Sequence, residues 1–384
     1  MVARFAAPRW AGSDLDTFRD SVRKIIRSEF EPHFERWIEQ GCVDRDAWRV
    51  AGETGLLCPS FPEEYGGLGG SFAHDLVIIE ELEYSGIGIS FSLGLHSAIV
   101  CPYYLHYGTS EQKERWLRGM VSGDIVTAIA MTEPGTGSDL QSVRTTAATV
   151  GDEYRVNGQK VFITNGQLAD LVLVVAKTDT SAGARGVSLV AVEADRPGFV
   201  RGRNLKKMGL KASDTSELFF EDVLVPRSNL LGGLPGQGFF QLMASLPQER
   251  LVIAIGGAAA MERAVELTCD YARQRTAFGK TLLEFQNTAF RLAECKTDAT
   301  VARTFVDRCV EDILAGTLSA EHASMAKYWV SDAQNRVVDA CLQVFGGYGY
   351  MDEYPISRMY ADARVQRIYG GTNEIMKILI ARSL

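Results

Sequence analysis

The 384-residue chain has no CxxC pair, no HxxxH pair, no GxSxG elbow, and no uncharged apolar run near the roughly 18 residues that a membrane span needs. Each absence closes a class of function. The cysteines, Cys42, Cys58, Cys101, Cys269, Cys295, Cys309 and Cys341, are odd in number and lie in apolar surroundings, which reads as reduced thiols rather than a disulfide framework. His33, His74, His96, His106 and His322 have no acidic or cysteine company at ligand spacing, so no metal site is expected. A net charge of −8, from 40 basic and 48 acidic residues with no Lys/Arg cluster, argues against a nucleic-acid partner. Met1-Val2-Ala3-Arg4-Phe5 lacks the basic-then-apolar pattern of an export signal, and the expected location is the cytoplasm.

What the chain does have is enough apolar material, 46% of its residues, to fill two or three cores. Over residues 15–123 the apolar positions recur at three and four, as in Phe18, Val22, Ile25, Ile26 and Phe30, which predicts helices. Tyr65-Gly66-Gly67-Leu68-Gly69-Gly70 has neither GxGxxG nor GxxxxGK spacing and no strand feeding it, so it reads as a turn between helices. Glu80 and Glu81 read as an ordinary helix face. Between residues 125 and 226 the period changes to short β-branched runs at 125–131, 154–156, 161–164, 171–176, 187–192 and 218–225. Asn157-Gly158 and Asn165-Gly166 read as turns between them, and with no intervening helical pattern antiparallel pairing is expected. Helical periodicity returns after Gly238, at 239–275, 285–315 and 319–345. The expected fold is α+β, with an N-terminal helical domain (1–124), a central antiparallel β-barrel domain (125–230) and a C-terminal helical domain (231–384).

Two segments carry the chemistry. Met131-Thr132-Glu133-Pro134-Gly135-Thr136-Gly137-Ser138-Asp139 follows an expected strand, and its glycines let backbone N–H groups converge on an anionic or carbonyl-bearing ligand. Together with Asn157-Gly158-Gln159-Lys160-Val161-Phe162-Ile163-Thr164-Asn165-Gly166, it resembles the flavin-contacting segments of acyl-CoA dehydrogenases. The resemblance continues in order through Lys207-Met208-Gly209-Leu210-Lys211, Arg275-Thr276-Ala277-Phe278-Gly279-Lys280, Gln343-Val344-Phe345-Gly346-Gly347-Tyr348-Gly349-Tyr350 and Ile368-Tyr369-Gly370-Gly371-Thr372-Asn373-Glu374-Ile375, and is nearest to the long-chain branch.

The resemblance implies an FAD enzyme of acyl-CoA dehydrogenase-like fold that desaturates an acyl thioester between its α and β carbons. Electrons would pass to an electron-transfer flavoprotein. It implies cofactor contacts from Met131, Thr132, Gly137, Ser138, Phe162 and Thr164, with Phe162 standing where many members have tryptophan. Arg275, Phe278, Gln343 and Gly347 would reach the FAD of a neighbouring subunit, which implies a homo-oligomer, a tetramer, and Gln286, Thr372 and Glu374 would add further contacts. Ser138, Leu246, Arg250 and Tyr369 would meet the substrate, and residues 87–100 would wall the acyl cavity.

In much of the family a glutamate follows the signature tyrosine. Here that position is Gly370, which has no side chain to accept a proton but keeps its backbone N–H for the thioester carbonyl. Leu246-Pro247-Gln248-Glu249-Arg250-Leu251 resembles the relocated base of the long-chain and isovaleryl branches, so Glu249 is the expected base. Its apolar helical setting suits a carboxyl with a raised pKa, and adjacent helical residues diverge by about 100°, which places Arg250 poorly as an ion-pair partner. Three other readings stand beside this one: an acyl group borne on a carrier protein, an oxidase or monooxygenase on the same fold, and a non-catalytic FAD-binding or assembly protein.

Overall fold

The structure, a computed structural model, describes Phe5, Pro8, residues 10–86 and residues 88–384. Met1, Val2, Ala3 and Arg4 of the N-terminal pattern, and Ile87 at the head of the expected cavity wall, lie outside the described residues.

Seven helices come first: α1 (Ser13–Ile25), α2 (Phe34–Gln40), α3 (Arg45–Glu53), α4 (Phe72–Ser85), α5 (Ser90–Gly94), α6 (Cys101–Tyr107) and α7 (Ser110–Ser122). The glycine-rich segment at 65–70 is the turn into α4, which Ser71 and His74 cap reciprocally. A π-helical turn, Leu95–Val100, joins α5 to α6. Buried Trp37, Trp48 and Phe30 anchor the outer part of this unit.

Seven strands follow: β1 (Thr127–Ala130), β2 (Thr146–Val150), β3 (Glu153–Thr164), β4 (Leu171–Lys177), β5 (Val187–Glu193), β6 (Phe199–Asn204) and β7 (Thr215–Pro226). They form one sheet in the order β1-β4-β2-β3-β7-β6, with β5 on β4, and its two ends do not pair among the described residues. Pairing is antiparallel at β2–β3, β3–β7, β6–β7 and β4–β5. The antiparallel expectation fails at β1, which runs parallel to β4, and at the single parallel bridge of β2 to β4. The connection from β1 to β4 passes through the β2–β3 hairpin and so returns in the same direction without a helix.

β4 and β5 are continuous apolar runs because both faces are covered. Leu171, Leu173, Val175, Leu189 and Ala191 pack toward the helices, while Val172, Val174, Ala176, Val190 and Val192 face the inside of the curled sheet. Asn157-Gly158, expected as a turn, lies inside β3 at a bulge opposite β7. Gly158 has φ 151° there, and a Cβ on it would lie 2.4 Å from Thr145 Oγ1, so the glycine serves a close strand approach. Asn165 does turn the chain, at φ 63°.

Three long helices complete the molecule: α8 (Gly238–Gln274), α9 (Gln286–Leu314) and α10 (Ala320–Phe345), followed by α11 (Pro355–Ala363) and α12 (Asn373–Ala381). A two-stranded ribbon, β8 (Thr276–Ala277) with β9 (Lys280–Thr281), links α8 to α9. No helix among the described residues is long and apolar enough to cross a membrane. All seven cysteines are free thiols.

Two polar readings change once the helices pack. Glu80 and Glu81 are not an ordinary helix face but are buried at 3% and 5% exposure. Glu80 pairs with Arg19 at 2.7 Å and with Arg303, and Glu81 pairs with Arg23 at 2.8 Å and Arg19 at 3.0 Å. Arg303 also pairs with Glu262 at 2.8 Å, so one buried charge network joins α1, α4, α8 and α9. The second change concerns His96, which has the company that spacing hides: its nitrogen, Cys58 Sγ and Cys101 Sγ lie within 4.8 Å of one another in the core. His96 Nδ1 accepts the Thr127 N–H at 3.1 Å, so Nε2 carries the proton and faces the Met120 carbonyl at 2.9 Å. Both ring nitrogens are thus committed to hydrogen bonds.

Candidate active site

Glu249 lies on α8 two residues after Pro247, on a stretch that is apolar on nearly every side, and is buried at 6% exposure. Tyr103 on α6 donates its hydroxyl to Glu249 Oε1 at 2.7 Å. Burial lifts this carboxyl to about 7, against the opposing pull of the Tyr103 hydrogen bond and the Arg250 charge. Arg250 points elsewhere, toward Ser324 Oγ at 3.4 Å, and burial lowers its pKa. Gln248 fixes the register of this turn by donating to the Ala98 carbonyl at 2.8 Å in the π-helical segment. Leu246, one turn before Arg250, is buried beside them.

The C-terminal loop meets the same face of α8. Gly370 has φ 63°, and a Cβ built on it would lie 2.3 Å from Ile253 Cδ1. Ile253 follows Glu249 by four residues, so the loop packs about 6 Å along the helix from Glu249, on the same face. Tyr369 stacks on Phe91 with ring centroids 4.3 Å apart. Behind the loop the fully buried Lys327 donates to the Gly371 carbonyl at 2.7 Å and to Asn373 Oδ1 at 3.0 Å. Thr372 Oγ accepts the Ile375 N–H at 3.4 Å and so caps α12, with Glu374 exposed in its first turn. Glu249, Leu246, Tyr369 and Gly370 are therefore gathered at one place. Tyr103 and Lys327 were not singled out in the sequence; a tyrosine in an apolar helix and a lysine in a helical run carry no local signal.

A second group sits where β1 ends. Glu133 accepts the N–H groups of Arg144 at 2.7 Å and Thr145 at 2.9 Å. Lys160, fully buried on β3, bridges Glu133 at 2.9 Å and the Met131 carbonyl at 3.0 Å. Val161 N–H reaches the Thr132 carbonyl at 3.0 Å, so Met131 and Thr132 lie against the β3 bulge that carries Phe162 and Thr164. Phe162 is held at φ 61° with its ring 66% exposed. A bulky side chain in left-handed backbone, presenting its ring to the outside, is a costly arrangement that suits a planar partner. Gly137 and Ser138 are exposed in the adjoining loop.

The third group lies elsewhere. Arg275, Phe278 and Gln286 surround the β8–β9 ribbon, and Gln343 and Gly347 mark the end of α10. Arg275 lies over the Tyr348 ring at 5.8 Å, which joins the two sides. Phe278, at φ 51°, is 97% exposed. From Glu249 to Arg275 is 26 helical residues, about 39 Å along α8.

Comparison with known proteins agrees with this architecture. Family models for the N-terminal, middle and C-terminal domains of acyl-CoA dehydrogenase match residues 13–124, 128–223 and 236–384. The mitochondrial long-chain specific acyl-CoA dehydrogenase of Rattus norvegicus is 52% identical over 97% of this chain and 86% of its own. A solved acyl-CoA dehydrogenase from Geobacillus kaustophilus superposes with a TM-score of 0.96 at 50% identity, covering 98% of this chain and 99% of that one. A solved glutaryl-CoA dehydrogenase from Mycobacterium smegmatis, in complex with FADH2, superposes at 0.91 with 27% identity, covering 98% and 95%. The chain belongs to the acyl-CoA dehydrogenase family and is an oxidoreductase.

Proposed function

We propose that this enzyme removes two hydrogens across the α and β carbons of a coenzyme A thioester, with Glu249 taking the α-proton. The observation that carries this reading is the setting of Glu249: a buried carboxyl near pH 7 in its titration, on the helix face against which the Gly370 loop packs. A base for a weakly acidic C–H works best when its pKa lies near the working pH, and this one does. The Gly370 N–H would bind the thioester carbonyl, favouring the enolate as the proton leaves. Lys327, by donating to the Gly371 carbonyl one residue on, tethers the loop that carries this N–H.

The residues around the β3 bulge fit a flavin: Met131, Thr132, Phe162 and Thr164 would hold its ring system, and Gly137 and Ser138 its phosphates. FAD bound there would supply the hydride acceptor. Arg275 lies about 39 Å along α8 from Glu249, with Phe278 on the adjoining ribbon and the Gln343–Gly347 end of α10 reached through Tyr348, a separation that supports Arg275, Phe278, Gln343 and Gly347 reaching the cofactor of another subunit in a homotetramer; Gln286 is proposed as a further cofactor contact. An electron-transfer flavoprotein is the proposed electron acceptor. Thr372 and Glu374 are proposed as cofactor contacts, and Leu246, Arg250, Tyr369 and Ser138 as substrate contacts. Anaerobic bleaching of the yellow holoprotein by straight and branched acyl-CoAs tests the activity. Rapid bleaching by one class supports it, and a flavin that no acyl-CoA bleaches overturns it.

A pH prediction follows from Tyr103. Below pH 7 the Glu249 carboxyl is neutral and cannot accept a proton, so kcat/KM should rise with pH through an apparent pKa near 7 in the free enzyme. The Tyr103 hydrogen bond favours the ionised form, so Tyr103→Phe should move that rise to higher pH and lower the rate at pH 7. A profile that stays in place in Tyr103→Phe would remove Tyr103 from the mechanism.

A further inference from the structure

One carboxyl near the site has no part in the proposed chemistry. Glu83 lies in the last turn of α4, and Ser90, at the start of α5, hydrogen-bonds it through its hydroxyl. Across from it is Gly256 of α8: a Cβ there would lie 3.2 Å from Glu83 Cγ. Glu249, Ile253 and Gly256 are spaced i, i+4 and i+7, so they share one face of α8. Along that face Tyr103 meets Glu249, the Gly370 loop meets Ile253, and Glu83 meets Gly256, about 10 Å beyond Glu249. The Tyr369–Phe91 stack stands beside the loop, with Phe91 next to Ser90. Glu83 and Tyr369 are enclosed enough for burial to raise both pKa values, with Asp362 adding to each, yet both keep intermediate exposure. Glu83 thus stands on the α8 face that carries Glu249, next to the ring that stacks on Phe91.

We infer that Glu83 is a specificity-determining residue: with Ser90 it forms a polar stop on the α8 face, which limits the straight alkyl chain that the acyl groove accepts. This rests on the proposed dehydrogenase reading. A chain that reaches Glu83 must strip water from a carboxyl that gains no hydrogen bond in return, whereas a shorter chain stays among apolar groups. The missing side chain at Gly256 leaves just enough room for Glu83 to lie across the face.

The test is anaerobic flavin bleaching of the holoenzyme with straight-chain acyl-CoAs from butyryl to stearoyl. The wild-type kcat/KM should fall beyond a certain length. Glu83→Ala should raise it about tenfold for chains beyond that length and leave shorter ones unchanged, since each methylene kept in an apolar groove adds severalfold. Glu83→Gln should keep the wild-type limit. Gly256→Ala, which crowds the same point from the other side, should move the limit to shorter chains, so the inference stands on a second variant if Glu83→Ala folds poorly. If Glu83→Ala and Gly256→Ala scale all lengths alike, or change none, Glu83 does not set the limit. A wild-type enzyme that no acyl-CoA bleaches sinks the parent reading as well, and that outcome is distinct from a bleached wild type whose variants share its length profile.

Discussion

Glu249→Gln is expected to slow anaerobic flavin bleaching by about 10² to 10⁴-fold while the protein keeps its flavin, its fold and its affinity for substrate. Glutamine has nearly the shape of glutamate and can still meet the Tyr103 hydroxyl, so the packing of α8 against α6 should survive. What it loses is the ability to take a proton. The effect belongs in the rate of reduction at saturating acyl-CoA rather than in KM, because the interaction removed is made in the transition state. Stopped-flow bleaching under nitrogen measures it directly. A Glu249→Gln protein that bleaches at the wild-type rate would assign the base to another group. Titration makes the result sharper still: the residual rate in the variant should lose its rise near pH 7.

Arg303→Met should have the largest effect on stability, about 3–5 kcal/mol, because it strands Glu262 and takes from Glu80 one of its two cations. Arg303 is 8% exposed, donates to both Glu262 oxygens at 2.8 and 3.1 Å, and pairs with Glu80 and, at 3.7 Å, with Asp307. Its burial disfavours charge, but the surrounding carboxylates more than compensate and raise its pKa, so it stays charged throughout. Burial also raises the Glu262 carboxyl, which Arg303 holds back. Without the arginine, Glu262 loses its paired cation beside the Glu80 carboxylate, which keeps Arg19 alone. Equilibrium unfolding at fixed protein and flavin concentration measures the loss. Arg303→Met with Glu262→Gln should recover part of it, since the double change leaves one fewer stranded charge. A single variant as stable as the wild type would show that the network is not needed to hold α4, α8 and α9 together.

How much of this was legible in the sequence depends on whether the signal was periodic. The long helices were readable to within a residue or two, because 239–275, 285–315 and 319–345 repeat at helical spacing, and the structure has Gly238–Gln274, Gln286–Leu314 and Ala320–Phe345. Strands β4, β5 and β7 were readable as apolar runs. β2 and β6 were not, because Thr146–Val150 has one buried residue and Phe199–Asn204 has none, so no alternation marks them. β3 looks like two strands in the sequence because Asn157-Gly158 has turn chemistry, whereas the structure uses it for a bulge. In the site, Glu249, Leu246, Tyr369 and Gly370 were found through motif resemblance, and the structure gathers them. Tyr103, Lys327 and Glu83 act through partners 146, 44 and 7 residues away. The Glu80–Glu81 network is hidden in the sequence for the same reason: its cations, Arg19, Arg23 and Arg303, lie on other helices.

The close fit of Gly370 against Ile253 also bears on how such an enzyme can change over time. At φ 63° position 370 penalises any residue with a Cβ, and the Ile253 methyl occupies the space that a Cβ would enter. With the base proposed on α8, a carboxylate placed instead at position 370 would need coordinated change at 370 and 253, with neither step favourable alone, so the two positions should vary as a pair.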